Sequence, residues 1–114
     1  MRDLCTSQLY LVPVERSCPP PSVVLPDDAG WIFTAPDPVI DAVAEDLGAA
    51  GDRPVQIVSG LNGYNIEPHH LIEVIEGCFE SGPNPVLVVD ADLAHDVRDL
   101  VGGDRAQVQD LTLA

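Results

Sequence analysis

Trp31-Ile32-Phe33-Thr34-Ala35-Pro36-Asp37-Pro38-Val39-Ile40 changes its periodicity half-way along, and that change decides the fold. Residues 31–34 are aromatic or β-branched, as strands are, with Trp31 read as part of the core. Asp37 before Pro38 is a helix start. Aspartate is a preferred N-cap, and a proline in the first turn gives up no hydrogen bond it would otherwise make. Val39, Ile40, Val43, Ala44 and Leu47 follow at helical spacing, and the pattern ends in the small residues from Gly48 to Gly51.

The same unit recurs downstream. Residues 55–58 read as a strand whose continuous apolar character suits burial on both faces. A polar loop leads to Pro68 and a helix with Leu71, Ile72, Ile75, Cys78 and Phe79 on one side, stopped by Ser81-Gly82-Pro83-Asn84. Residues 85–89 form the next strand and run into Asp90-Ala91-Asp92. Leu93, Val97, Leu100 and Val101 predict a third helix, closed by Gly102-Gly103. Residues 105–113 read as a last strand, its alternation broken at Asp110 as at an edge or bulge. Strand–helix alternation of this kind predicts a parallel sheet with right-handed crossovers.

Upstream, residues 8–14 are β-prone, Cys18-Pro19-Pro20-Pro21 interrupts them, and Val23-Val24-Leu25 reads as a short second strand before the turn at residues 26–30. Prolines favour a sheet edge. Residues 1–30 are therefore expected as an N-terminal edge strand or hairpin extension on a βα-repeat core of residues 31–114. The expectation is a single three-layer α/β domain, with a mainly parallel sheet and helices on both faces.

Composition narrows the function. The 114 residues carry 19 acidic side chains against five arginines and no lysine, a formal charge of −14. Such a surface repels phosphate backbones, so nucleic acid is not expected as a direct ligand. It also repels anionic membranes, and no apolar run reaches the roughly 20 residues of a membrane span. It suits basic protein partners, divalent cations or a high-salt environment. Residues 1–8 lack the apolar stretch of a secretory signal, which makes a cytoplasmic location the default expectation. Cys5, Cys18 and Cys78 are an odd number without a CxxC pair; they read as structural thiols, a Cys5–Cys18 disulfide being the alternative.

Ligands of open α/β sheets bind at the carboxyl ends of the strands. Three loops meet that condition: residues 34–37 with Asp37; residues 59–65 with Ser59, Gly60, Asn62, Gly63 and Asn65; and Asp90 with Asp92, followed one turn later by His95. Gly60 and Gly63 permit close approach of a ligand to the backbone, although neither GxGxxG nor GxxxxGK[ST] is present. Asp90 and Asp92 are candidate metal ligands, since two carboxylates at a strand end suit Mg²⁺. The competing reading has Asp90 ending the strand and Asp92 capping the helix at Leu93. His69-His70 is a poor chelate and reads as surface histidine, and Ser59 lacks the surroundings of a hydrolase nucleophile. No organic cofactor is expected.

The order of these motifs resembles the Toprim domain of topoisomerases, primases and related nucleases. Residues 86–92, Val-Leu-Val-Val-Asp-Ala-Asp, look like its DxD strand, and residues 55–60 like the strand and turn before it. The resemblance implies Mg²⁺ at Asp90 and Asp92 and phosphoryl-transfer chemistry. Where that family has a catalytic glutamate, this chain has Ala35-Pro36-Asp37, so Asp37 would have to serve as the third carboxylate. The absent lysine excludes haloacid dehalogenase chemistry and argues against a phosphoacceptor receiver domain. Two expectations follow: a non-enzymatic acidic module for a basic protein partner, or a Mg²⁺-dependent Toprim-like domain. Self-association through an edge strand is left open.

Overall fold

The computed structural model describes residues 8–15, 23–58, 67–101 and 107–111. In chain order the elements are β1 (Gln8–Val14), β2 (Ile32–Thr34), α1 (Pro38–Gly51), β3 (Val55–Ile57), α2 (Pro68–Ser81), β4 (Val86–Asp90), α3 (Ala91–Val101) and β5 (Gln107–Asp110). The strands form one sheet in the order β3-β2-β4-β1-β5, with every neighbouring pair parallel.

Strand alternation sorts the core into two layers. Leu9, Leu11, Phe33, Leu87 and Val89 face one way and pack with Leu71, Ile75 and Cys78 of α2 and Leu93, Val97 and Val101 of α3. Tyr10, Val12, Val14, Ile32, Val86 and Val88 face the other way, against Ile40, Ala44 and Leu47 of α1. Connections running toward the β3 edge cross the α1 face, and those running toward β5 cross the α2/α3 face. A single crossover hand requires this pairing of direction and face. The chain is the expected three-layer α/β domain.

The N-terminal strand is not at the edge. β1 lies between β4 and β5, in register Tyr10↔Val86 on one side and Leu11↔Asp110 on the other. Pro13 is compatible with this internal place because of where its missing N–H would point. Tyr10 N–H donates to Pro85 O of the β4 side, while Leu11 O accepts from Leu111 N–H on the β5 side. Alternation then turns Pro13 toward β5, just beyond the last registered pair, Leu11↔Asp110. Residues 23–25 form no extended strand, only an isolated bridge at Val23. Val23 and Leu25 pack on the α1-side core and Val24 is exposed, so the segment is part of the crossing from β1 to β2.

Two further expectations are corrected. β3 is the outer strand and its three residues are exposed, not buried on both faces. Trp31 precedes β2 and is 40% exposed, so it is a boundary residue and not core.

At the amino ends of the strands, a latch holds the 26–30 turn. Arg53 donates from Nε to Ala29 O (2.9 Å) and from Nη2 to Pro26 O and Asp27 O (3.1 Å each). Tyr10 donates its hydroxyl to Asp28 Oδ1 at 2.8 Å. Asn84, in the left-handed region at φ 53°, donates Nδ2 to Asp28 O and accepts from Gln8 N–H through Oδ1.

Burial pushes the Cys78 thiol from its ordinary 9.0 up to about 12. Burial raises the Tyr10 hydroxyl above 10.0, and the hydrogen bond to Asp28 and its charge add to the effect. Both groups are therefore held neutral by the fold. Their contribution to stability is complete below the unfolded values and is lost as pH rises, from about 9 to about 12 for Cys78 and above 10.0 for Tyr10. The urea midpoint is expected to fall progressively above about pH 9, and to fall less in Cys78→Val. An equal midpoint at about pH 8 and about pH 11 would contradict this coupling.

Candidate functional site

The strand order places the point where chain direction reverses. β2 and β4 are neighbours, in register Ile32↔Val86 and Thr34↔Val88. The chain leaves β2 for α1 on one face and leaves β4 for α3 on the other. Between two such strands the carboxyl ends open a crevice, the usual place for a ligand in this architecture. Asp37 follows β2, and Asp90 ends β4. The topology thus brings two of the sequence-predicted carboxylates to adjoining strand ends.

Both carboxylates close helix N-termini. Asp37 Oδ1 accepts from Val39 N–H at 3.0 Å and from Ile40 N–H at 3.4 Å, with the extended backbone of an N-cap. Asp90 Oδ1 accepts from Leu93 N–H at 2.8 Å. Capping was expected of Asp92, and it falls to Asp90 because α3 begins at Ala91, directly from the strand. That makes Leu93 N–H the donor three residues beyond the last strand residue, within reach of its carboxylate. Asp92 sits exposed in the first turn of α3, where the positive end of the helix dipole favours it.

The other candidates divide. His95 is exposed, and helical geometry puts it opposite Leu93, Val97 and Val101, on the outer side of α3 and away from the strand ends. Ser59, Gly60, Asn62, Gly63 and Asn65 lie outside the described residues, as do Cys5 and Cys18. His69 and His70 are surface residues beside Glu67 and Glu73, at 3.5 and 3.9 Å. Among the described residues, no group of three His, Cys, Asp or Glu side chains is set to hold a metal ion. No described helix is long and apolar enough to cross a membrane.

The capping roles make a direct prediction. Asp90→Ala is expected to cost about 1–2 kcal/mol, while Asp90→Asn, which keeps the acceptor, stays within about 0.5 kcal/mol of the parent. Asp92→Ala is expected to cost no more than about 0.5 kcal/mol. Equilibrium urea unfolding of the three variants checks the order, and equal losses at positions 90 and 92 would contradict it.

Sequence reading missed the latch of Arg53, Asn84, Tyr10 and Asp28. Two local signals pointed to it: an arginine in a chain with five cationic side chains, and Gly-Pro-Asn-Pro at residues 82–85, a turn needing an asparagine at positive φ. Comparison of the chain with protein-family models, with curated proteins and with solved structures finds no match. Its functional reading therefore rests on its own residues.

Proposed function

We propose that the chain is a small acidic binding or assembly module, not itself an enzyme, that engages a basic protein partner. The observation that carries this reading is where the described cations go. Arg53 is directed into the carbonyls of the 26–30 turn, and Arg98 is paired with Asp110 through contacts of 3.1 and 3.2 Å. On α2 and α3 a set of carboxylates lies on the exposed surface. Glu73, Glu76 and Glu80 are exposed on α2, and Asp92, Asp96 and Asp99 on α3. Spacings of three, four and seven align each trio along its helix. The two helices share one face of the sheet, so both stripes lie on one side of the molecule. A field of one sign over such a surface speeds encounter with a basic partner and selects against acidic ones.

A pull-down from the native source, at low and at high salt, tests this. A basic protein should be retained at about 50 mM salt and released at about 500 mM, as screening shortens the reach of the charges. A partner held equally well at both would overturn the electrostatic reading.

A second reading has the adjacency of β2 and β4 in its favour: a Mg²⁺-dependent Toprim-like phosphoryl-transfer or nuclease-related domain, in degenerate form. Asp90 and Asp92 would be the metal ligands and Asp37 the third carboxylate. It requires Mg²⁺ or Mn²⁺ at sub-millimolar concentration to shift the amide resonances of Asp90 and Asp92, and Asp90→Asn to abolish the shift. If neither ion moves those resonances, this second reading falls.

A further inference from the structure

The two edges of the sheet are built differently. At β5 the outer strand carries Asp110, held by both Nε and Nη2 of Arg98, and a charged edge of this kind resists pairing with another strand. At β3, residues 54–58 read Pro-Val-Gln-Ile-Val and carry no charge, in a chain where 19 of 114 residues are acidic. Val55 is 37% and Ile57 54% exposed. Among the described residues no strand pairs with the outer side of β3.

The backbone of β3 has a specific complement. Ile32 N–H donates to Pro54 O, and Val58 N–H donates to Thr34 O. Residues 54, 56 and 58 therefore turn their backbone groups toward β2, and Val55 and Ile57 turn theirs outward. Two donors and two acceptors, separated by one residue, form a set that matches itself about a two-fold axis.

We propose that β3 pairs antiparallel with β3 of a second copy, centred on Gln56, to make one continuous ten-stranded sheet. Val55 of each copy exchanges both backbone hydrogen bonds with Ile57 of the other, so all four outward groups on each strand are satisfied. Gln56 then lies opposite its own symmetry mate in a non-hydrogen-bonded pair, where side chains approach most closely. A second copy fits this edge better than the basic partner considered above, because the edge offers no carboxylate and is apolar. Closed two-fold pairing also uses up the edge and leaves the charged β5 edges outermost. Three residues per strand make a small and therefore weak interface.

Like charge on the two copies gives the pairing a signature opposite to that of a basic partner: salt should strengthen it. Sedimentation velocity at about 10–500 µM protein should show mass rising from 12.1 kDa toward twice that value, with association several-fold tighter at about 1 M salt than at about 50 mM. Ile57→Lys, at a side chain already exposed, should weaken association at least about tenfold at high salt while leaving the circular dichroism unchanged. Under mild oxidation Gln56→Cys should yield a disulfide between the introduced thiols of the two copies, since the α-carbons at that position would lie about 4.5 Å apart. Val55→Cys should not, because Val55 faces Ile57. A protein that stays monomeric across these conditions overturns the proposal. So does a dimer indifferent to Ile57→Lys, or one cross-linked through position 55 and not 56.

Discussion

Arg53→Ala is expected to destabilise the domain by about 2–4 kcal/mol, because one side chain fastens three carbonyls of the 26–29 turn, those of Pro26, Asp27 and Ala29. Each bond joins a charged donor to a neutral acceptor, the stronger class of protein hydrogen bond. The turn matters because it carries the crossing from β1 to β2. Ala29, 8% exposed, packs in the same core layer as Ile40 and Val86. Once the carbonyls are released, that layer is held at its lower edge by Tyr10 and Asn84. Arg53→Lys should recover little, since one ammonium cannot reach three acceptors along the chain in the way a planar guanidinium does. Thermal unfolding should show a Tm lower by about 10 °C in both variants. A change under about 1 kcal/mol would mean that water replaces the arginine without loss.

The second large effect is expected at Gly30. A Cβ there would lie 2.4 Å from Pro83 O, a backbone atom that no side-chain rotation can move aside. Gly30 N–H also donates to Asn84 O at 2.8 Å, which fixes the two segments together. Gly30→Ala should therefore cost about 2–4 kcal/mol through displaced backbone and a weakened bond to Asn84. Gly77 is the internal contrast. It lies within α2, and a Cβ added there meets nothing within 4 Å. Gly77→Ala should stabilise the domain by about 0.5–1 kcal/mol through lower unfolded-state entropy. Urea midpoints that move in opposite directions for the two substitutions are the result to look for; a shared direction would contradict the packing described here.

The fold was legible where local chemistry and tertiary packing agree. Asp37-Pro38 and Pro68 mark helix starts, and α1 and α2 begin at those prolines. The apolar sets of α2 and α3 supply the side chains that face the sheet. What the residues could not reveal is lateral order, because a parallel strand reads the same wherever it lies. Pro13 suggested an edge, but a parallel strand turns its N–H groups alternately to its two neighbours, and one side of β1 runs out of partner where Pro13 stands. β3 misled in the opposite sense, since Val55 and Ile57 read as core and lie on the rim. The candidate site was legible as a place: Asp37 and Asp90 do close adjoining strand ends. The roles within it were less so. Whether Asp90 or Asp92 caps α3 depends on whether the helix begins one residue or three after the strand, and the pattern of Leu93 and Val97 is the same in either case.

In the proposed function, the exposed carboxylates of α2 and α3 act together, through charge, on a basic partner. The most direct test is the affinity of the recovered partner for a variant combining Glu73→Gln, Glu80→Gln, Asp92→Asn and Asp99→Asn, beside a control combining Glu45→Gln and Asp46→Asn on α1. All six side chains are exposed, so the fold should persist in both. The predicted result is a loss of about 10–100-fold in the first variant, mostly in association rate at low salt, and a change under about threefold in the control. An unchanged affinity in the α2/α3 variant would contradict the claim.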